Sequence, residues 1–209
     1  MAEGPPPGTA APQPAHRLFF ALWPDEGMRE AMTEAIRAAA HASGGRPVPP
    51  SNLHVTMAFL GSVPEGRLGQ LAAIARCAEG PRSGGGASLA SEESGVELIF
   101  SRLEYWRAAH LLCAVPDQAP ARVTALARGL QERLSESGFA PDLKGPGSVG
   151  LNITRPFRPH VTVARKVYRS PRIEMQPVTW SFTDLVLVDS KTLPEGSVYT
   201  VLERFPLGH

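Results

Sequence analysis

Histidine and threonine recur two residues apart in two short segments, Leu53-His54-Val55-Thr56-Met57 and Pro159-His160-Val161-Thr162-Val163, one in each half of the 209-residue chain. Each copy reads His, apolar, Thr, apolar. Imidazole titrates near neutral pH, so of two brought together one accepts a proton while the other donates one. Threonine hydroxyls hydrogen-bond phosphoryl oxygens and hold an ester for in-line attack. The four groups together suit phosphate-ester hydrolysis, and a cyclic phosphate above all, whose strained ring carries its own leaving group. A single His-x-Thr is a weak signal; two copies, each inside an apolar strand pattern, are a strong one.

On a strand, side chains alternate between faces. His54 and Thr56 therefore project from one face, as do His160 and Thr162, while Val55, Met57, Val161 and Val163 turn to the other. The apolar residues pack under a helix and the polar pairs look into a cleft. The second copy sits in a basic stretch: Arg155, Arg158, Arg165, Lys166, Arg169 and Arg172 lie within residues 155–172, with no Asp or Glu among them. Such a stretch suits a phosphate-bearing ligand, and the planar fork of Arg165 matches phosphate oxygens. By strict alternation Arg165, five residues after His160, faces away from the cleft. It reaches inward only if the strand ends or bends after Ala164.

The elements that must hold these groups are legible from periodicity. Leu18 to Trp23 reads as a buried strand. Asp25 is a helix N-cap, with Met28, Met32, Ile36 and Ala39 on one helical face and Gly44-Gly45 as the stop. His54 to Leu60 is a strand and Pro64 to Ala78 a helix. Gly80 to Gly86 is a loop. Val96 to Phe100 and His110 to Val115 are strands flanking a turn at Tyr105-Trp106. Asp117 caps a third helix with Val123, Leu126, Leu130 and Leu134 on its apolar stripe. Strands follow at His160 to Ala164, Trp180 to Val188 and Val198 to Phe205. Neighbouring strands often lack a crossover helix, which argues for an α+β fold with largely antiparallel sheets. The repeated motif predicts two similar lobes around a central cleft, a pseudo-two-fold arrangement.

Composition removes other classes. Hydrophobic content is 43% and the formal net charge +1, so any nucleic-acid contact is local. No apolar run reaches transmembrane length. Residues 1–15, rich in Pro, Gly and Ala, lack the basic and apolar regions of a signal peptide and are expected to be a disordered tail before one domain over residues 16–209. Cys77 and Cys113 are far apart and fit a reduced, cytoplasmic compartment. His16, His41, His110 and His209 have no partner motif, and no metal site or cofactor is expected. Gly145 to Gly150 spells a dinucleotide-type glycine pattern, but a helix end precedes it where a strand is required. Asn152-Ile153-Thr154 is a formal glycosylation sequon without meaning in an unsecreted chain.

From Arg17 to Phe205 the sequence resembles the RNA 2′,3′-cyclic phosphodiesterases, or 2′–5′ RNA ligase-like proteins, of the two-histidine phosphoesterase superfamily. The resemblance rests on Arg17-Leu18-Phe19-Phe20-Ala21-Leu22, on Val48 to Gly61 around the first motif, and on Arg155 to Arg165 around the second. It implies a bilobal α+β fold with two largely antiparallel sheets, flanking helices and a central cleft. It implies hydrolysis of a 2′,3′-cyclic phosphate to a 2′-phosphomonoester without metal or cofactor. His54 would be the proton donor to the leaving ribose oxygen and His160 the base that activates water. Thr56 and Thr162 would hold phosphate oxygens, and Arg165 would assist there or at the nucleotide. Phe59, the aromatic after the first motif, either stacks on a base or packs in the core, the latter being the expectation. Run backwards, the same site would join a 2′-phosphate to a 5′-hydroxyl. The expected partners are RNA ends or nucleotides, with no membrane and no second subunit. The alternative from another class is a module that grips RNA ends without turnover. The segment Asp142 to Thr154 is longer and richer in glycine than the resemblance leads one to expect, and would lengthen a loop at the cleft rim.

Overall fold

The computed structural model describes residues 14–78, 95–139 and 157–208. The tail through residue 13, the Gly80–Gly86 and Asp142–Thr154 loops, Arg155 and His209 lie outside them. The chain runs β1 (Ala15–Leu22), α1 (Glu26–Ala42), β2 (Arg46–Pro47), β3 (Val55–Pro64), α2 (Leu68–Arg76), β4 (Val96–Trp106), β5 (Leu111–Pro116), α3 (Ala121–Glu136), β6 (Val161–Arg165), β7 (Val178–Phe182), β8 (Asp184–Leu193) and β9 (Gly196–Pro206).

Local signals account for most of these boundaries. Asp25 caps α1 by accepting the Met28 N–H at 2.8 Å, which satisfies one of the donors a helix start leaves open. Met32, Ile36 and Ala39 are buried on its inner face, and Gly44 follows in the left-handed region at φ 66°. Four expectations are corrected. The segment after Pro64 begins as a 3-10 turn at Glu65–Arg67 and turns α-helical only at Leu68. Strand β4 continues through Tyr105 and Trp106, and the chain reverses at Arg107–Ala109 with His110 at φ 53°. Asp117 does not cap α3, which starts behind Pro120; its carboxylate accepts from Arg102 Nε at 2.6 Å instead. The segment Trp180 to Val188, uninterrupted by Gly or Pro, is two strands divided at Thr183.

The strands form one sheet in the order β7-β4-β5-β6-β3-β1-β8-β9, with β2 on β6. Two separate sheets were expected; the halves β3-β1-β8-β9 and β6-β5-β4-β7 are instead joined through one residue pair, Val55 with Val161, in antiparallel sense. Each half places a motif strand at its inner edge. Each motif strand also follows a strand and a helix, β1 and α1 before β3, with the two-residue β2 between, and β5 and α3 before β6. The helices cross between halves. Helix α1 leaves β1 and packs on β7 and β6, where Trp180 Nε1 donates to the Met28 carbonyl at 2.7 Å. Helix α3 leaves β5 and packs on β3, beside α2. One apolar core therefore spans both halves under the helices, from Leu18, Phe20 and Leu22 to Val161, Val163 and Trp180. Two small clusters sit apart from it, one around Phe19 and Val188 and one around Leu111, Cys113 and Val115. Among the described residues no helix is long and apolar enough to cross a membrane.

Candidate active site

His54 and His160 each stand one residue before a motif strand, flanking the Val55–Val161 pair. Each is held by the backbone two residues earlier. His54 Nδ1–H donates to the Asn52 carbonyl at 2.7 Å and His160 Nδ1–H to the Arg158 carbonyl at 2.9 Å. A carbonyl only accepts, so the neutral rings carry their proton on Nδ1 and present Nε2 as the working atom. Thr56 Oγ1 lies 3.0 Å from His54 Nε2. Thr162 is hydrogen-bonded to Cys113, whose thiol burial pushes up to about 12; that sulfur is no nucleophile at neutral pH.

Arg165 reaches the same face by a route that strict alternation misses. Cys113 pairs with Thr162 and Leu112 with Ala164, which leaves Val163 as a β-bulge. In β3, Ala21 pairs with Thr56 and Phe20 with Ala58, leaving Met57 as the bulge at the equivalent position. An extra residue inverts the facing of everything after it. Val163 and Ala164 are both buried, as are Met57 and Ala58, and the next residues, Arg165 and Phe59, turn to the face of the histidines. Phe59 packs, partly buried, against the small apolar cluster around Phe19, where the Arg17 guanidinium lies 4.7 Å above its ring.

Aromatic rings wall both imidazoles. Trp23 stacks on His54 at 5.5 Å, Phe19 lies at 4.9 Å, and Tyr199 meets it edge-on at 5.3 Å. Trp106 lies 4.4 Å from His160. Burial lowers the His54 pKa from 6.5 to about 4, helped by the charges of Arg165 and His160 and opposed by the Asn52 hydrogen bond. Burial likewise lowers that of His160, with Arg158 and Arg165 adding to it against the Arg158 carbonyl bond. One guanidinium, Arg165, therefore acts on both rings.

The His160 seat has outer support. Glu104 accepts from Trp106 Nε1 at 3.0 Å and from Arg158 at 2.7 Å, and from Arg102 at 3.2 Å. Partial burial works to raise the Glu104 pKa, but the bonds from Trp106 and Arg158 outweigh it and hold the carboxyl low. On the other side, Asn52 Nδ2 donates to the Ser197 carbonyl at 2.7 Å, tying the His54 seat to the β8–β9 hairpin. Sequence reasoning missed Phe19, Trp23, Asn52, Glu104, Trp106 and Tyr199 as surroundings of the site. The available signal was alternation in β4 and β9, which places Glu104 with Trp106 and Tyr199 with Val201 on common faces. Among the described residues no group of three or more His, Cys, Asp or Glu side chains is placed to hold a metal ion.

Residues 22–83 match the family model described as LigT like phosphoesterase. The RNA 2′,3′-cyclic phosphodiesterase of Thermus thermophilus is 32% identical over 203 residues, spanning 91% of this chain and 90% of its own. That of Escherichia coli is 27% identical over 91% of this chain and 96% of its own. The crystal structure of E. coli LigT complexed with NADP+ superposes with a TM-score of 0.71 at 25% identity, covering 95% of this chain and all of that one. The chain belongs to the LigT-like phosphoesterases, the family of the RNA 2′,3′-cyclic phosphodiesterases.

Proposed function

We propose that the protein hydrolyses a 2′,3′-cyclic phosphate at the end of an RNA, or on a nucleotide, to a 2′-phosphomonoester, with His54 and His160 as acid and base and no metal. The observation that carries this reading is the pair of imidazoles in matching seats, each with Nδ1 tied to a carbonyl and Nε2 left for proton transfer. The relatives' names supply the substrate class, and NADP+ in E. coli LigT is a nucleotide ligand in the same fold.

In the reaction, His160 Nε2 takes a proton from water as the water oxygen bonds to phosphorus. The P–O3′ bond breaks, and the 3′ oxygen takes the proton of His54 Nε2. Arg165 faces the charge on the phosphoryl oxygens, and the Thr56 and Thr162 hydroxyls hold them. His54 is neutral in the empty cleft at pH 7, because its pKa is about 4. An anionic phosphodiester beside it favours the imidazolium, so the substrate itself arms the acid. With a 5′-hydroxyl in place of water as the nucleophile, the same steps on the cyclic phosphate break the P–O3′ bond and form a 2′–5′ phosphodiester, and abundant water favours hydrolysis. The free state of Cys77 and Cys113 supports a reducing, cytoplasmic setting, and we take residues 16–209 as one domain acting as a monomer.

The test is incubation with an oligonucleotide ending in a 2′,3′-cyclic phosphate, with and without chelator, followed by phosphorus NMR. A 2′-phosphomonoester formed at the same rate in both is expected. Tight binding without turnover would leave only a binding module, and loss of rate to chelator would show a metal.

A further inference from the structure

A groove of about 460 Å³ opens beside Asn52, Arg165 and Tyr199 of the candidate site. One wall is the lead into β3, from Arg46 through Pro49 to Asn52; another is the end of β6 at Arg165 and Lys166; the third is the β8–β9 hairpin from Leu193 to Tyr199. Three of its residues already belong to the candidate site: Arg165 acts on both imidazoles, Asn52 holds His54, and Tyr199 meets the His54 ring. The groove is thus continuous with the place where the phosphate would react.

Its walls are built rather than loose. Asn52 ties the hairpin to the His54 seat. The Val48 N–H donates to the Val163 carbonyl at 2.9 Å, and Arg46 and Pro47 pair with Arg165 and Ala164. The charge is one-sided but not pure: Arg46, Arg165 and Lys166 stand against the single carboxylate Glu195. Arg46 and Lys166 are exposed, and they flank Arg165, Arg46 as its partner across the strands and Lys166 as the next residue along the chain. The lining also includes Pro47, Val48, Pro49, Leu193, Val198 and Tyr199, apolar surface suited to the flat faces of sugars and bases.

We propose that this groove holds the nucleotides on the 5′ side of the cyclic phosphate, with Arg46 and Lys166 receiving the next one or two backbone phosphates of a single-stranded RNA. The idea rests on the function proposed above and adds its substrate class: an oligonucleotide in preference to a cyclic mononucleotide. Backbone contacts of this kind carry no base information, so the preference is for length and not for sequence.

The experiment compares kcat/KM for a nucleoside 2′,3′-cyclic phosphate and for a trinucleotide ending in the same group. A charge-assisted phosphate contact is worth about tenfold or more in binding, so the trinucleotide is expected to be favoured by at least about tenfold, chiefly through KM. The gain should shrink as salt rises. In Arg46→Gln/Lys166→Gln the gain should vanish while the mononucleotide rate stays, and in Glu195→Gln the gain should grow. A wild-type protein that treats both substrates alike, or a double variant that keeps the full gain, overturns the proposal and leaves the hydrolase reading intact. Failure to hydrolyse either substrate overturns both together.

Discussion

The two motif strands are the same device set in different surroundings. In both, the histidine precedes the strand, Nδ1 is tied to the carbonyl two residues back, and a bulge three residues after the histidine turns the fifth residue toward the cleft. On β6 that fifth residue is Arg165; on β3 it is Phe59. The His54 half is walled by three aromatic rings. The His160 half carries cations and a carboxylate that organises Trp106 and Arg158. The lesson is a division of labour between backbone and side chain. Backbone geometry duplicates the seat, and the neighbours make one ring the apolar-walled partner and the other the partner beside fixed charge. A single arginine two residues past the bulge of one half then bears electrostatically on both rings.

The largest break in this comparison is removal of either ring. His54→Ala and His160→Ala should each lose about 10²–10⁴-fold in turnover with the folded state retained by circular dichroism, and the double variant should fall little below the worse single one, because acid and base act as a unit. Near-full activity in either single variant would take that histidine out of the mechanism. Next comes the asymmetry at the bulge. Arg165→Lys keeps the charge but loses the fork, and should lower kcat/KM about tenfold and weaken inhibition by the phosphate product in parallel.

The threonines sharpen the comparison at smaller scale. Thr56→Val and Thr162→Val each remove one hydroxyl from the cleft and should cost about three- to tenfold in kcat/KM, the worth of one hydrogen bond. Equal, negligible losses would make both hydroxyls structural, as the Thr162 bond to Cys113 already is in part. Smallest is Glu104→Gln, which loosens only the His160 half. Its ion pair with Arg158 is half-exposed, so a loss of about two- to fivefold is expected, in kcat with KM steady. A change in KM alone would move Glu104 from supporting His160 to touching the ligand.

Much of this was legible in the sequence for a physical reason. The His, apolar, Thr, apolar pattern couples side-chain chemistry to strand periodicity, so motif and element announce each other, and the α1 cap and apolar stripes follow from local rules. The rest depends on contacts between distant segments. The bulges at Met57 and Val163 are set by pairing with β1 and β5, and nothing in either residue type marks them, so alternation alone turns Arg165 away and leaves its inward facing conditional on a bend. The break at Thr183 carries no Gly or Pro, and it separates two strands that pair in different halves of the sheet. Asp117 had the chemistry of a cap, but Arg102 from the neighbouring strand claimed it. Trp106 read as a turn residue because its role depends on His160, which lies far along the chain.

The central claim, two imidazoles sharing one guanidinium, is tested most directly by the pH dependence of kcat/KM on a nucleoside 2′,3′-cyclic phosphate, in the wild type and in Arg165→Gln. The base must be neutral, so the rate falls as pH drops through its pKa; the acid must be protonated, so the rate falls as pH rises through its own. Both rings titrate below 6.5 in the free protein, so the account predicts a bell with its maximum on the acid side of 6.5. The alkaline limb of kcat should lie higher, because bound phosphate raises the acid's pKa. Arg165→Gln should move both limbs of kcat/KM upward together. A kcat/KM maximum above 6.5, or limbs that stay in place when Arg165 is neutralised, would contradict it.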